Sequence, residues 1–154
     1  PMSLIRMPDG AYRIKPGYEF SLRSLLLGRN HCMLATLMIR RSVFDVLGLF
    51  DETLVGTEDF EFFSRLHLML GQQFQPVAAP IYRYRFYAGS ITRDPERCER
   101  VLDHSLQAVD ILFAREAFPA YLKSMYGLAY TYRYRFYIRE QVNQGAKALA
   151  RRLF

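Results

Sequence analysis

Residues 48–65 constrain the chain most, because they put a glycine-led loop, two acidic clusters and a helix start into one short run. Gly56-Thr57 forms an N-cap pair in front of Glu58 and Asp59. From Phe60 onward, Phe63, Leu66 and Leu70 recur at helical spacing. The two carboxylates are therefore expected in the first turn of an amphipathic helix. There the positive end of the helix and its free backbone N–H groups favour the ionised form. An ionised carboxylate at the mouth of an anchored helix is a platform for a general base. Acids in first turns also simply stabilise helices, and for this motif by itself that is the plainer reading.

The chain has 154 residues, half of them hydrophobic and 15% aromatic, which suits one domain with a sizeable core. The net charge of +6 is spread over both halves, so it fits anionic ligands, an anionic membrane surface or nucleic acid and singles out none. Cys32 and Cys98 have no paired spacing, which argues against a disulfide scaffold or a metal site and fits a reducing compartment. No apolar run is long enough to cross a membrane, and no secretory signal is expected. Residue 1 is Pro, so the chain is expected to be cut from something longer.

In chain order, residues 2–6 and 12–15 read as short strands around the Pro8-Asp9-Gly10 turn. Residues 19–27 read as a helix stopped by Gly28, and 33–40 as a short buried strand. Ser42 with Asp45 resembles a capping box for a short helix that ends at Gly48, and Phe50 is expected to pin the following loop to the core. The helix from Glu58 ends near Gly71. Residues 73–79 read as an edge strand because of Pro76, and Pro80 begins another extended piece. Residues 95–116 and 120–140 read as two helices broken at Phe118-Pro119, with Leu122, Tyr126, Tyr130, Tyr134 and Ile138 as the apolar stripe of the second. Residues 146–153 read as a short basic helix.

The string Tyr-Arg-Tyr-Arg-Phe-Tyr occurs at 82–87 and again at 132–137. Interleaved aromatics and arginines suit single-stranded nucleic acid. The first copy lies in a strand-like context and the second in a helix, so the duplication is read as chance and nucleic acid is not the expected partner.

One ordered set of motifs resembles a known family. It begins with Met38-Ile39-Arg40-Arg41-Ser42-Val43-Phe44 and Leu47-Gly48-Leu49-Phe50-Asp51-Glu52. It continues with Glu58-Asp59 and Arg65, then Ile81-Tyr82-Arg83-Tyr84-Arg85 and Gly89-Ser90-Ile91-Thr92. Over residues 33–92, order and spacing resemble the C-terminal half of family 2 glycosyltransferases of the GT-A fold. The resemblance implies an α/β fold: a partial GT-A domain, the acceptor-side half, over residues 1–92, followed by an α-helical hairpin extension over 93–154. It implies inverting transfer of a sugar from a nucleotide-sugar donor to an acceptor hydroxyl. Asp59 matches the family's catalytic base, and Glu58 would flank and orient it. Arg65 stands among the substrate-side residues, with bracing of the loop or of an acidic residue as its expected task. A surface pairing with Glu61 is the simpler alternative for Arg65. Arg85 is a candidate contact for donor phosphates, set against a purely structural role.

Two departures shape the expectation. No Asp-x-Asp occurs, and the sequence before residue 33 is too short for the nucleotide-binding half. A divalent metal, Mg or Mn, is therefore expected only with that missing half, no metal site is assigned here, and the fragment alone is expected to be inactive. The histidine of the family's closing segment is Tyr87 here, while His31, His67 and His104 are read as structural or solvated. The expected setting is cytoplasmic, at the inner face of a membrane, with self-association through an exposed apolar edge. The rival readings are a non-catalytic helical interaction module and single-stranded nucleic-acid binding through the Tyr-Arg strings.

Overall fold

The computed structural model describes residues 2–6, 12–15, 21–28, 34–71, 79–84 and 95–143. Strands β1 (Met2–Arg6) and β2 (Tyr12–Lys15) come first, then α1 (Leu22–Leu26) and a 3-10 turn (Leu34–Thr36). Helices α2 (Arg41–Leu47) and α3 (Glu58–Leu70) follow, then β3 (Pro80–Tyr84) and α4 (Pro95–Ala114). A 3-10 stretch (Ala120–Met125) leads into α5 (Tyr126–Asn143).

Helices carry the described core. Leu22, Leu25 and Leu26 of α1 meet Phe60, Phe62, Phe63 and Leu66 of α3, together with Ala108, Val109 and Leu112 of α4 and Ala129 of α5. The hairpin of α4 and α5 thus shares one hydrophobic cluster with the helices of the first half. The strands form a small sheet in the order β2-β1-β3. β1 runs antiparallel to β2, with Leu4 opposite Ile14, and parallel to β3, with Ile5 opposite Tyr84. A parallel pair needs a long crossover, and the segment holding α1 to α3 supplies it.

This mainly helical arrangement overturns the expected α/β, partial GT-A fold. The physical reason lies in residues 33–40, read as a buried strand at the centre of a half-sheet. Leu34–Thr36 is a 3-10 turn and 37–40 is irregular. Leu34 is exposed and Met38 fully so, so the segment fills no sheet interior. The apolar residues bury instead as helix faces.

Local signals fare unevenly. Ser21 caps α1 in a reciprocal box with Ser24, each side chain bonded to the other's backbone N–H at 3.0–3.1 Å. Gly48 ends α2 and Gly71 ends α3, both at positive φ, as their positions in the sequence suggest. Ser42 is not a cap, because α2 begins at Arg41 with Arg40 as N-cap and no side-chain capping bond. The stripe assigned to the last helix is also displaced. Tyr126 and Tyr134 are exposed, whereas Leu122, Met125, Ala129, Tyr137 and Gln141 are buried. The buried row is itself spaced by four from Met125 to Gln141, one position before the expected row, so spacing by itself does not choose between the two. The expected elements at 73–79 and 146–153 lie outside the described residues.

One glycine locks α1 to α5. Gly28 has φ +54°, and a Cβ built there would stand 1.6 Å from the Tyr132 ring. The Tyr132 hydroxyl donates to the Gly28 carbonyl at 3.0 Å. Gly28→Ala is expected to cost about 2–4 kcal/mol, the sum of a left-handed backbone penalty and forced overpacking. In a Tyr132→Ala background the overpacking part should vanish. A denaturant double-mutant cycle checks this, and additive effects would contradict the clash.

Candidate active site at the mouth of the third helix

The loop from Gly48 to the start of α3 is built by its own residues. Asp51 accepts bonds from the backbone N–H and the hydroxyl of Thr53, at 3.0 and 2.6 Å, and these hold its carboxyl below the usual range. Leu54 is fully buried beneath the turn. Phe50 packs on Phe62 with ring centres 4.5 Å apart, which pins the loop to the core as expected. From the other side, the Val55 N–H donates to His104 Nδ1 of α4 at 2.8 Å. His104 is therefore a structural residue that ties the approach of α3 to the helical hairpin.

Arg65 secures the same loop from beneath. Its Nε donates to both Glu61 oxygens at 2.8 and 2.9 Å. One terminal nitrogen donates to the Leu47 carbonyl, and the other to the Leu49 carbonyl at 2.7 Å. Arg115, just past the end of α4, adds a bond to Glu61 at 2.7 Å. Glu61 and Arg65 are both buried, at 3% and 9% exposure, so their pairing is a core feature and not a surface one. Every terminal group of Arg65 is engaged by the protein, which makes it a positioning residue.

Asp59 and Glu58 lie half-buried in the first turn of α3. Thr57 occupies the N-cap position, but its hydroxyl makes no capping bond. The backbone N–H groups of Phe60 and Asp59 favour the charged form of the Asp59 carboxylate. Asp59 borders a cavity of about 290 Å³ whose walls include Gly56, Thr57, Phe60, Phe63, Tyr132, Arg133, Phe136 and Tyr137. Burial lifts the pKa of Asp59, and the neighbouring Glu58 adds to the rise. Arg133 partly opposes it. The structure thus brings Asp59 and Glu58 together, and sets Arg65 apart in the bracing network. Arg85 lies outside the described residues.

Arg133 is the residue missed by sequence reasoning. It stacks on Phe60, with its guanidinium carbon 4.0 Å from the ring centre. The second Tyr-Arg string thus contributes Tyr132, Arg133, Phe136 and Tyr137 to the cavity wall. A signal was present: on the face Leu122, Met125, Ala129, Arg133, Tyr137, one arginine interrupts an apolar row. A cation in such a row marks either a buried partner or a ligand.

The raised pKa has a consequence for stability. Asp59 holds its proton more tightly when folded than when unfolded, so ionising it costs folding free energy. That cost is complete above the raised pKa and fades as pH falls through it toward the ordinary value of 3.8. Asp59→Asn is therefore expected to melt higher than the wild type at neutral pH, with the difference shrinking on acidification. Thermal melts across this range check it, and a lower melting temperature at neutral pH would contradict it.

No family model, curated protein or solved structure matches this chain. Among the described residues, no group of His, Cys, Asp and Glu has the arrangement to hold a metal ion. No described helix is long and apolar enough to cross a membrane.

Proposed function

We propose that this chain is the acceptor-side part of an inverting sugar-transfer enzyme, with Asp59 as general base. The observation that carries the proposal is Asp59 on the wall of an aromatic-rich cavity, its carboxylate desolvated and its pKa raised. A carboxylate moved toward neutral pKa is a stronger proton acceptor at working pH. Aromatic walls with a few polar groups are typical of small-molecule sites.

In the proposed reaction the acceptor oxygen attacks the anomeric carbon as Asp59 takes its proton. The bond from that carbon to the nucleotide diphosphate breaks on the opposite face, and the diphosphate leaves with the electron pair. Glu58 flanks the base and raises its proton affinity by like charge. Arg65 keeps the base in place by holding the Leu47 and Leu49 carbonyls. Residues outside this segment supply the main hold on the donor diphosphate, together with any Mg or Mn ion. The reaction is assigned to the cytoplasm.

The test is the stereochemistry of transfer by the full translation product. Incubation with nucleotide-sugars and simple hydroxyl acceptors should yield glycosides whose anomeric configuration, read by NMR, is opposite to that of the donor. A product of retained configuration would remove the single-base mechanism.

A further inference from the structure

The cavity beside Asp59 contains donors that the protein leaves unused. Arg133 offers five N–H groups, yet its one hydrogen bond among the described residues is a long one, from a terminal nitrogen to the Leu25 carbonyl at 3.5 Å. Its Nε is buried with no partner. The ion pairs of the described residues join Glu61 to Arg65 and Arg115, and Arg139 to Glu140, so none engages Arg133. Burial draws its pKa down to about 10, which still leaves it cationic at neutral pH. Across the same cavity, Thr57 is 6% exposed and its hydroxyl also has no partner. A desolvated cation and a buried hydroxyl without partners are both costly to keep.

We propose that Arg133 and Thr57 bind an oxyanion of the ligand, a phosphate or a carboxylate, inside this cavity. The stack on Phe60 fixes the plane of the guanidinium, so its terminal nitrogens form a preset fork for two oxygens. The Thr57 hydroxyl then donates to one of them. Asp59 opposes such an anion by like charge, so the ligand carries its negative group on the Arg133 side and a neutral hydroxyl on the Asp59 side. The assignment rests on the sugar-transfer proposal only for which reactant the anion belongs to, because binding requires no turnover.

The experiment is a titration of the isotope-labelled chain with inorganic pyrophosphate and, separately, with D-glucuronate, with glucose as the neutral control. The Arg133 Nε–H resonance reports binding directly in the wild type. It should shift with at least one of the two anions and not with glucose. Tighter binding of pyrophosphate assigns the anion to a phosphate, and tighter binding of glucuronate assigns it to a carboxylated sugar. Arg133→Gln should weaken the tighter anion by about tenfold or more. Thr57→Val should weaken it severalfold without lowering the melting temperature, because it deletes an unsatisfied buried hydroxyl at nearly constant shape. Asp59→Asn should tighten it. If Arg133→Gln fails to fold, the wild-type resonance and the Thr57 variant decide. An Arg133 resonance that ignores both anions, or affinity unchanged in Thr57→Val, would overturn the proposal.

Discussion

Arg65→Ala is expected to destabilise the chain by about 3–5 kcal/mol, the usual cost of breaking a buried ion pair from one side. The substitution removes the bidentate contact with Glu61 and the bonds to the Leu47 and Leu49 carbonyls at one stroke. Glu61 then stays buried with Arg115 as its remaining charged partner. In melting temperature this is a fall of about 6–20 °C for a chain of this size. Arg65→Lys should recover little, because a single ammonium cannot serve two carboxylate oxygens and two carbonyls on different sides. Equilibrium denaturation checks both variants. A loss below about 1 kcal/mol, the range of surface pairs, would return Arg65 to the superficial pairing with Glu61.

What the sequence made legible follows the range of the forces involved. Turn glycines and helix periodicity act within a few residues. The ends of α2 and α3 at Gly48 and Gly71 could therefore be read directly, as could the acids opening α3. The bracing role of Arg65 was legible because its partners sit one turn away on α3 or in the loop just before it. The fold class was not, since residues 33–40 are equally apolar as a strand or as an exposed irregular segment. Only the absence of a strand partner among the described residues separates the two. Thr57 shows a different limit. Its type and position suit a cap, but its hydroxyl makes no capping bond and is left unpaired. Arg133 was missed because its setting depends on Phe60, far away in sequence, and on choosing the correct face of α5.

Asp59→Asn should reduce sugar transfer by about 10²–10⁴-fold, the usual contribution of a positioned general base. An amide of the same shape cannot take the acceptor's proton, and a protonated sugar hydroxyl is a poor nucleophile. Glu58→Gln should cost less, because a flanking carboxylate is not consumed in the proton transfer. Donor affinity should not fall in either variant, since the main hold on the donor diphosphate is proposed to lie outside this segment and losing a carboxylate only eases an anion at Arg133. The Asp59 variant should also melt no lower than the wild type at neutral pH, which separates a chemical loss from unfolding. The decisive measurement is turnover and donor affinity of Asp59→Asn, made side by side on the full translation product. Turnover lost by at least about a hundredfold with no loss of donor affinity is the predicted result. Near-normal turnover, or donor binding lost in step with activity, would contradict the base assignment and leave Glu58 and Asp59 as helix-capping acids.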